Sequence, residues 1–249
     1  MVDLPKKKVG IVACSGEELA EGTVTRLAAL KVLEQLRPED TVTICLPLFL
    51  AGGEGDRAFA RFYPTIAVDG CELRCAARAT EMYSGKPAAG VVVSELLAEL
   101  GLGKPQGRRS LNQAGIAAVD ATAGRMAEMV DDLLEKPWSR RSGQFISLDD
   151  VSGGPVVVQQ ETVEATCSCG SGIPVHKIMI EGQSVTLVAL PLIFESFRQQ
   201  GKLPEGGTAH DLLDTVKLYN PIPSGADGAY TETLLREYAA FCAEKEAVK

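Results

Sequence analysis

The period of the apolar positions changes along the chain. Residues 8–13 (KVGIVA), 41–45 (TVTIC), 65–68 (TIAV) and 90–93 (GVVV) are short, unalternating runs rich in β-branched side chains. Such runs suit strands covered on both faces, as in a parallel sheet. Between them, residues 23–36, a stretch near residues 57–62 and residues 72–83 are compatible with helices. Strand and helix in alternation predict βαβ units. The clearest helix covers residues 119–134, where Val119, Ala123, Met126, Ala127, Val130, Leu133 and Leu134 fall on one face and Pro137 follows its end.

The pattern then breaks. Residues 137–155 mix Pro, Gly, Ser and charge with little periodicity and are expected to form a linker, with a short strand over 144–148. Beyond it, residues 175–180 and 184–190 flank Glu181-Gly182-Gln183 as a hairpin. Helices are expected over 191–200, over 208–218 with Thr208 and Asp211 in a capping arrangement, and over 226–243. The last carries Tyr230, Leu234, Tyr238 and Phe241 on one stripe. The expected organisation is an α/β domain over residues 1–136, the linker, and a small α+β domain over residues 156–249. The first is an open parallel sheet with flanking helices, in Rossmann- or flavodoxin-like layering.

Composition narrows the classes of function. The 249 residues are 45% apolar and 23% charged, which excludes a disordered chain, a collagen-like fibre and a coiled-coil rod. Lys and Arg number 25 against 33 Asp and Glu, a net charge of −8, so a nucleic-acid partner is not expected. The apolar stretch after Lys6, Lys7 and Lys8 is interrupted by Gly10 and ends at Ser15-Gly16-Glu17, too short for an export signal. The longest charge-free stretches, residues 41–53 and 182–194, have 13 residues each and contain proline, whereas a membrane span needs about 20 apolar residues. The expectation is a soluble, cytoplasmic protein without a membrane partner, its thiols kept reduced. A small-molecule or protein partner is left unspecified.

Several chemistries lack their motif. There is no P-loop, no His-Glu-x-x-His and no Gly-x-Ser-x-Gly, and the glycines at 101, 103 and 107 miss the dinucleotide spacing by one residue. Only His176 and His210 could serve a His-based triad. His210 opens a polar helix and is expected in solvent. His176 shares a strand face with Ile178 and Ile180 and is expected to be structural.

The seven cysteines carry the useful pattern. Cys14 follows the first strand, Cys45 ends the second and Cys71 comes shortly after the third, at spacings of 31 and 26 residues. Each spacing is about one βα unit, so all three fall at the carboxyl ends of parallel strands, the edge where open α/β sheets bind ligands. Cys75 stands four residues after Cys71, and on one helix face that spacing sets two sulfurs within reach of one ion. A helix amino terminus also favours thiolate. Arg74 and Arg78 are positioned to offset thiolate charge, Ser15 and Gly70 supply tight turns, and Asp69 is a candidate to orient the loop. Four sulfurs suit tetrahedral zinc or an iron–sulfur cluster. Whether the chain is an enzyme is left open.

Ala13-Cys14-Ser15-Gly16, Cys45 after a strand, and Asp69-Gly70-Cys71 with Cys75 resemble the DGC-domain family, named for its Asp-Gly-Cys motif, over residues 8–134. The resemblance implies a zinc site built from Cys14, Cys45, Cys71 and Cys75 and names no reaction. An alternative is a thiol-based protein that handles sulfur, redox equivalents or a soft metal or metalloid. In that reading Cys167 and Cys169, in the Gly/Ser loop TCSCGSG, serve as accessory thiols facing Cys14 or Cys45. Cys242 is expected to pack in the core.

Overall fold

The computed structural model describes residues 7–146 and 173–247. They divide into two compact units, one within residues 7–146 and the other from Ile173 onward.

The first unit is a parallel α/β layer structure. Its strands are β1 (Val9–Ala13), β2 (Thr41–Thr43), β3 (Thr65–Asp69) and β4 (Ala89–Val92), all parallel and in the order β2-β1-β3-β4. Helix α1 (Ala20–Lys31), continued by a π-helical turn over Val32–Leu36, joins β1 to β2. Three single-turn helices, α2 (Leu48–Ala51), α3 (Glu54–Arg57) and α4 (Phe59–Phe62), cross from β2 to β3. Helix α5 (Cys75–Tyr83) joins β3 to β4, and α6 (Val93–Glu99) follows directly.

Alternation along the strands distributes side chains to two cores. Val9, Ile11, Ile66 and Val68 point into a core shared with Val24, Ala28, Leu96, Met126 and Val130. Val12 and Ala67 point the other way, against Ile44, Phe49, Phe59 and Ala76. A strand buried on both faces has no polar side to write into its sequence, which is why these runs do not alternate. The 23-residue helix α7 (Gln113–Glu135) buries the expected stripe, with Leu134 only partly covered. It begins six residues earlier than its apolar period, because Asn112 caps it by accepting the Gly115 N–H at 2.8 Å.

Within the stretch expected as linker, β5 (Trp138–Ser139) and β6 (Gln144–Phe145) form a small antiparallel hairpin. It is fastened to the first unit: Trp138 Nε1 donates to the Arg61 carbonyl at 3.0 Å, and the Arg140 guanidinium lies 4.5 Å over the Phe62 ring.

The second unit is a hairpin with three helices. Strands β7 (Val175–Ile180) and β8 (Gln183–Val188) pair antiparallel around Glu181 and Gly182, with φ of 49° and 81°. Two left-handed residues give the turn that matches strand twist. Helices α8 (Leu190–Gln199), α9 (Gly206–Lys217) and α10 (Asp227–Ala247) follow, with Tyr230, Leu234 and Tyr238 of the expected stripe buried. Helix α9 starts two residues before Thr208, so the expected Thr208–Asp211 cap does not form, and Asp211 pairs instead with Lys202. His176 differs from expectation. It is 48% exposed, 3.8 Å from the Glu237 carboxylate, because it sits at the open end of β7 while Ile178 and Ile180 enter the core. Cys242 is half-buried, not fully in the core.

Candidate metal centre

The strand order reverses between β1 and β3, the position at which open α/β sheets bind ligands outside the carboxyl ends of their strands. The cysteine positions follow from this topology. Cys14 is the residue after β1, Cys45 comes two residues after β2, and Cys71 two residues after β3. Cys14 and Cys71 are half-buried, whereas Cys45 and Cys75 are exposed.

Each letter of the Asp-Gly-Cys turn has its own task. Asp69 shares a strand face with Ala67 and is 2% exposed. Its Oδ1 accepts the Ala76 N–H at 2.6 Å and its Oδ2 the Ala77 N–H at 3.1 Å, so it caps α5 from seven residues upstream. Burial pushes the Asp69 carboxyl above its ordinary range, while the two N–H groups and the Arg74 cation pull it back. Gly70 donates its N–H to Cys14 Sγ at 3.3 Å. It does so from a tight spot: a Cβ at Gly70 would stand 3.0 Å from the Gly22 nitrogen. Gly22, in turn, has its backbone against Gly16, where a Cβ would come within 1.9 Å of the Gly16 oxygen. The loops after β1 and β3 are thus locked together backbone to backbone.

The local geometry around Cys71 and Cys75 departs from the sequence expectation. Helix α5 starts at Cys75, not before Cys71. Cys71 lies in a preceding turn, closed by the Arg74 N–H on the Cys71 carbonyl at 3.1 Å, and Arg74 is left-handed at φ 51°. The two cysteines are therefore not a helical i, i+4 pair. Asp69 decides this, because its carboxylate satisfies the first free N–H groups and fixes where the helix begins. Arg74 is engaged by Glu95 at 3.0 Å, with both side chains more than half exposed, and Arg78 is exposed.

Two residues beside Cys14 escaped the sequence reasoning. Thr25, fully buried on α1, accepts the Ser15 N–H at 3.2 Å and donates to the Gly22 carbonyl at 2.8 Å. Its Oγ1 is 3.7 Å from Cys14 Sγ. Gly22 is the second. The available signal was a threonine three residues after a glycine, in the second turn of a helix that follows a strand and a cysteine.

By chemistry alone four thiols would suit a soft divalent ion, and Cys14 already receives a backbone N–H. The four do not stand in a closed shell. Among the described residues no three His, Cys, Asp or Glu side chains are grouped in an arrangement that holds a metal ion. Thiols alone have little reason to gather, since S–H is a weak donor and sulfur a weak acceptor. Cys167 and Cys169 lie outside the described residues.

Fold and edge together define the class: a flavodoxin-like parallel α/β domain with its cysteines at the ligand edge. Residues 10–121 match the family model of the DGC domain. No curated protein and no solved structure matches the chain significantly. Among the described residues no helix is long and apolar enough to cross a membrane.

Proposed function

We propose that the first unit is a cytoplasmic zinc-binding domain whose ion is held by Cys14, Cys45, Cys71 and Cys75. The observation that carries this reading is the Gly70 N–H donated to Cys14 Sγ, which ties Cys14 to the residue before Cys71, 56 positions along the chain. Such N–H···S bonds are what a thiolate ligand receives around structural and catalytic metal sites. Zinc would supply charge neutralisation for the thiolates and, with a position left open, Lewis acidity. The chain's own contribution is to hold one sulfur at the switch point and to present Cys71 and Cys75 from the turn and helix that Asp69 caps.

Elemental analysis of the purified chain should find one zinc. Cys71→Ser and Cys75→Ser should each lower the content sharply, and Cys242→Ser should leave it unchanged. Unchanged zinc in both of the first two variants contradicts the reading. The exposure of Cys45 and Cys75 favours a second reading, a thiol-based redox, sulfur or soft-metal handling protein using the same edge. In that case the chain would carry no tightly held zinc, and these thiols would alkylate rapidly.

A further inference from the structure

The four cysteines are not equivalent, and the difference has a structural cause. Cys45 and Cys75 stand in solvent, while Cys14 is gripped from two sides. On one side is the Gly70 N–H at 3.3 Å, and on the other the Thr25 hydroxyl at 3.7 Å. Thr25 is more than a neighbour. Its oxygen takes the Ser15 N–H, and its hydrogen goes to the Gly22 carbonyl while Cys14 is a thiol and turns to the sulfur once Cys14 is a thiolate, so three contacts hold Oγ1. The residue it restrains, Ser15, is left-handed at φ 47°, a conformation that costs a non-glycine residue about 1 kcal/mol or more and persists only where the surroundings impose it.

Resting on the zinc reading above, we propose that Thr25 is a positioning residue of the metal site. Its hydroxyl and the Gly70 N–H form a socket that fixes the Cys14 sulfur before an ion arrives, and Cys14 is the anchoring ligand on which the exposed thiols close. Without the hydroxyl, Ser15 loses its tether and the Cys14 side chain loses one wall. The remaining three thiols keep their chemistry, so the site is weakened, not abolished. Removing an outer-shell partner of this type typically costs about 10–100-fold in metal affinity.

The test uses the full chain, with zinc as probe and a chromophoric chelator as competitor. Thr25→Val keeps the side-chain shape and removes the hydroxyl, whereas Thr25→Ser keeps the hydroxyl. The expected result is an affinity about tenfold or more weaker for Thr25→Val, restored by Thr25→Ser, with the thiolate-to-metal absorption of the cobalt form shifted only in Thr25→Val. Wild-type affinity in a folded Thr25→Val overturns the socket and leaves the zinc reading standing. Failure of the wild-type chain to take up zinc overturns both. Should Thr25→Val not fold, the wild-type chain loaded with NMR-active cadmium decides. A coupling from the metal to the Gly70 amide proton through Cys14 Sγ is expected, and its absence overturns the proposal.

Discussion

Asn220 in the second unit and Asp69 in the first are both buried polar side chains that act at a strand's carboxyl end, and the two solve opposite problems. In the second unit Asn220, 2% exposed, lies along β8. Its Oδ1 accepts the Val188 N–H at 2.8 Å, and its Nδ2 donates to the Val188 and Val216 carbonyls at 3.1 and 3.2 Å. A neutral amide with donor and acceptor in register stands in for a missing strand at Val188, the last residue of β8. In the first unit Asp69, equally buried, has only acceptors and spends both on the N–H groups of α5. A carboxylate can start a helix there, and Cys71 and Cys75 flank the turn that precedes that start. Asn220 completes a strand end, whereas Asp69 fixes where the helix carrying Cys75 begins.

Substitution should separate the two roles. Asn220→Ala would strand the Val188 N–H and carbonyl in the core, at a cost of about 2–3 kcal/mol. The chain's one tryptophan, Trp138, is fastened to the first unit, so its fluorescence reports that unit. The expected result in urea is an earlier transition by circular dichroism, an unmoved Trp138 transition and unchanged zinc affinity. Asp69→Asn is the smaller lesion, about 1–2 kcal/mol, because one amide oxygen still accepts while the amide nitrogen faces an N–H. Here the Trp138 transition should move and zinc affinity should fall. If Asp69→Asn shifts stability but not affinity, Asp69 is as purely structural as Asn220 and the comparison fails.

The smallest effect concerns acid. Glu195 on α8 is held down at about 2, from an ordinary 4.5, chiefly by its hydrogen bond from Arg198 and then by Gln199. A carboxyl depressed in the folded state stabilises fully above 4.5, and that contribution is lost as pH falls toward 2. Both partners are partly exposed, so solvent screens the pair and the slope should be shallow. The circular dichroism transition should drop slightly over this window, and Glu195→Gln should flatten the slope. A steep loss that persists in Glu195→Gln would assign acid sensitivity elsewhere.

What could be read from the sequence was whatever repeats. The β1 and β3 runs, the stripe on α7 from Val119 to Leu133 and the hairpin around Gly182 all carry a period or a turn residue. The single-turn helices between Leu48 and Phe62 and the two-residue strands at Trp138 and Gln144 do not, because one turn contains no recurrence. The carboxyl-edge phase of Cys14, Cys45 and Cys71 was legible for the same reason: one cysteine per βα unit. The start of α5 was not, since a cap supplied by Asp69 from seven residues upstream is a tertiary contact. Thr25 was hidden for a related reason. A threonine early in a helix looks like any other, and only the approach of Gly16, Gly22 and Gly70 brings the Cys14 sulfur beside it.

The central claim is that one ion binds sulfurs from three strand ends and a helix start. X-ray absorption at the zinc edge tests it most directly on the purified chain and on Cys71→Ser. Four sulfur neighbours at about 2.3 Å in the wild type, falling to three in the variant or accompanied by loss of the metal, is the predicted result. Zinc ringed by nitrogen and oxygen, or a four-sulfur shell that Cys71→Ser leaves intact, would contradict the account.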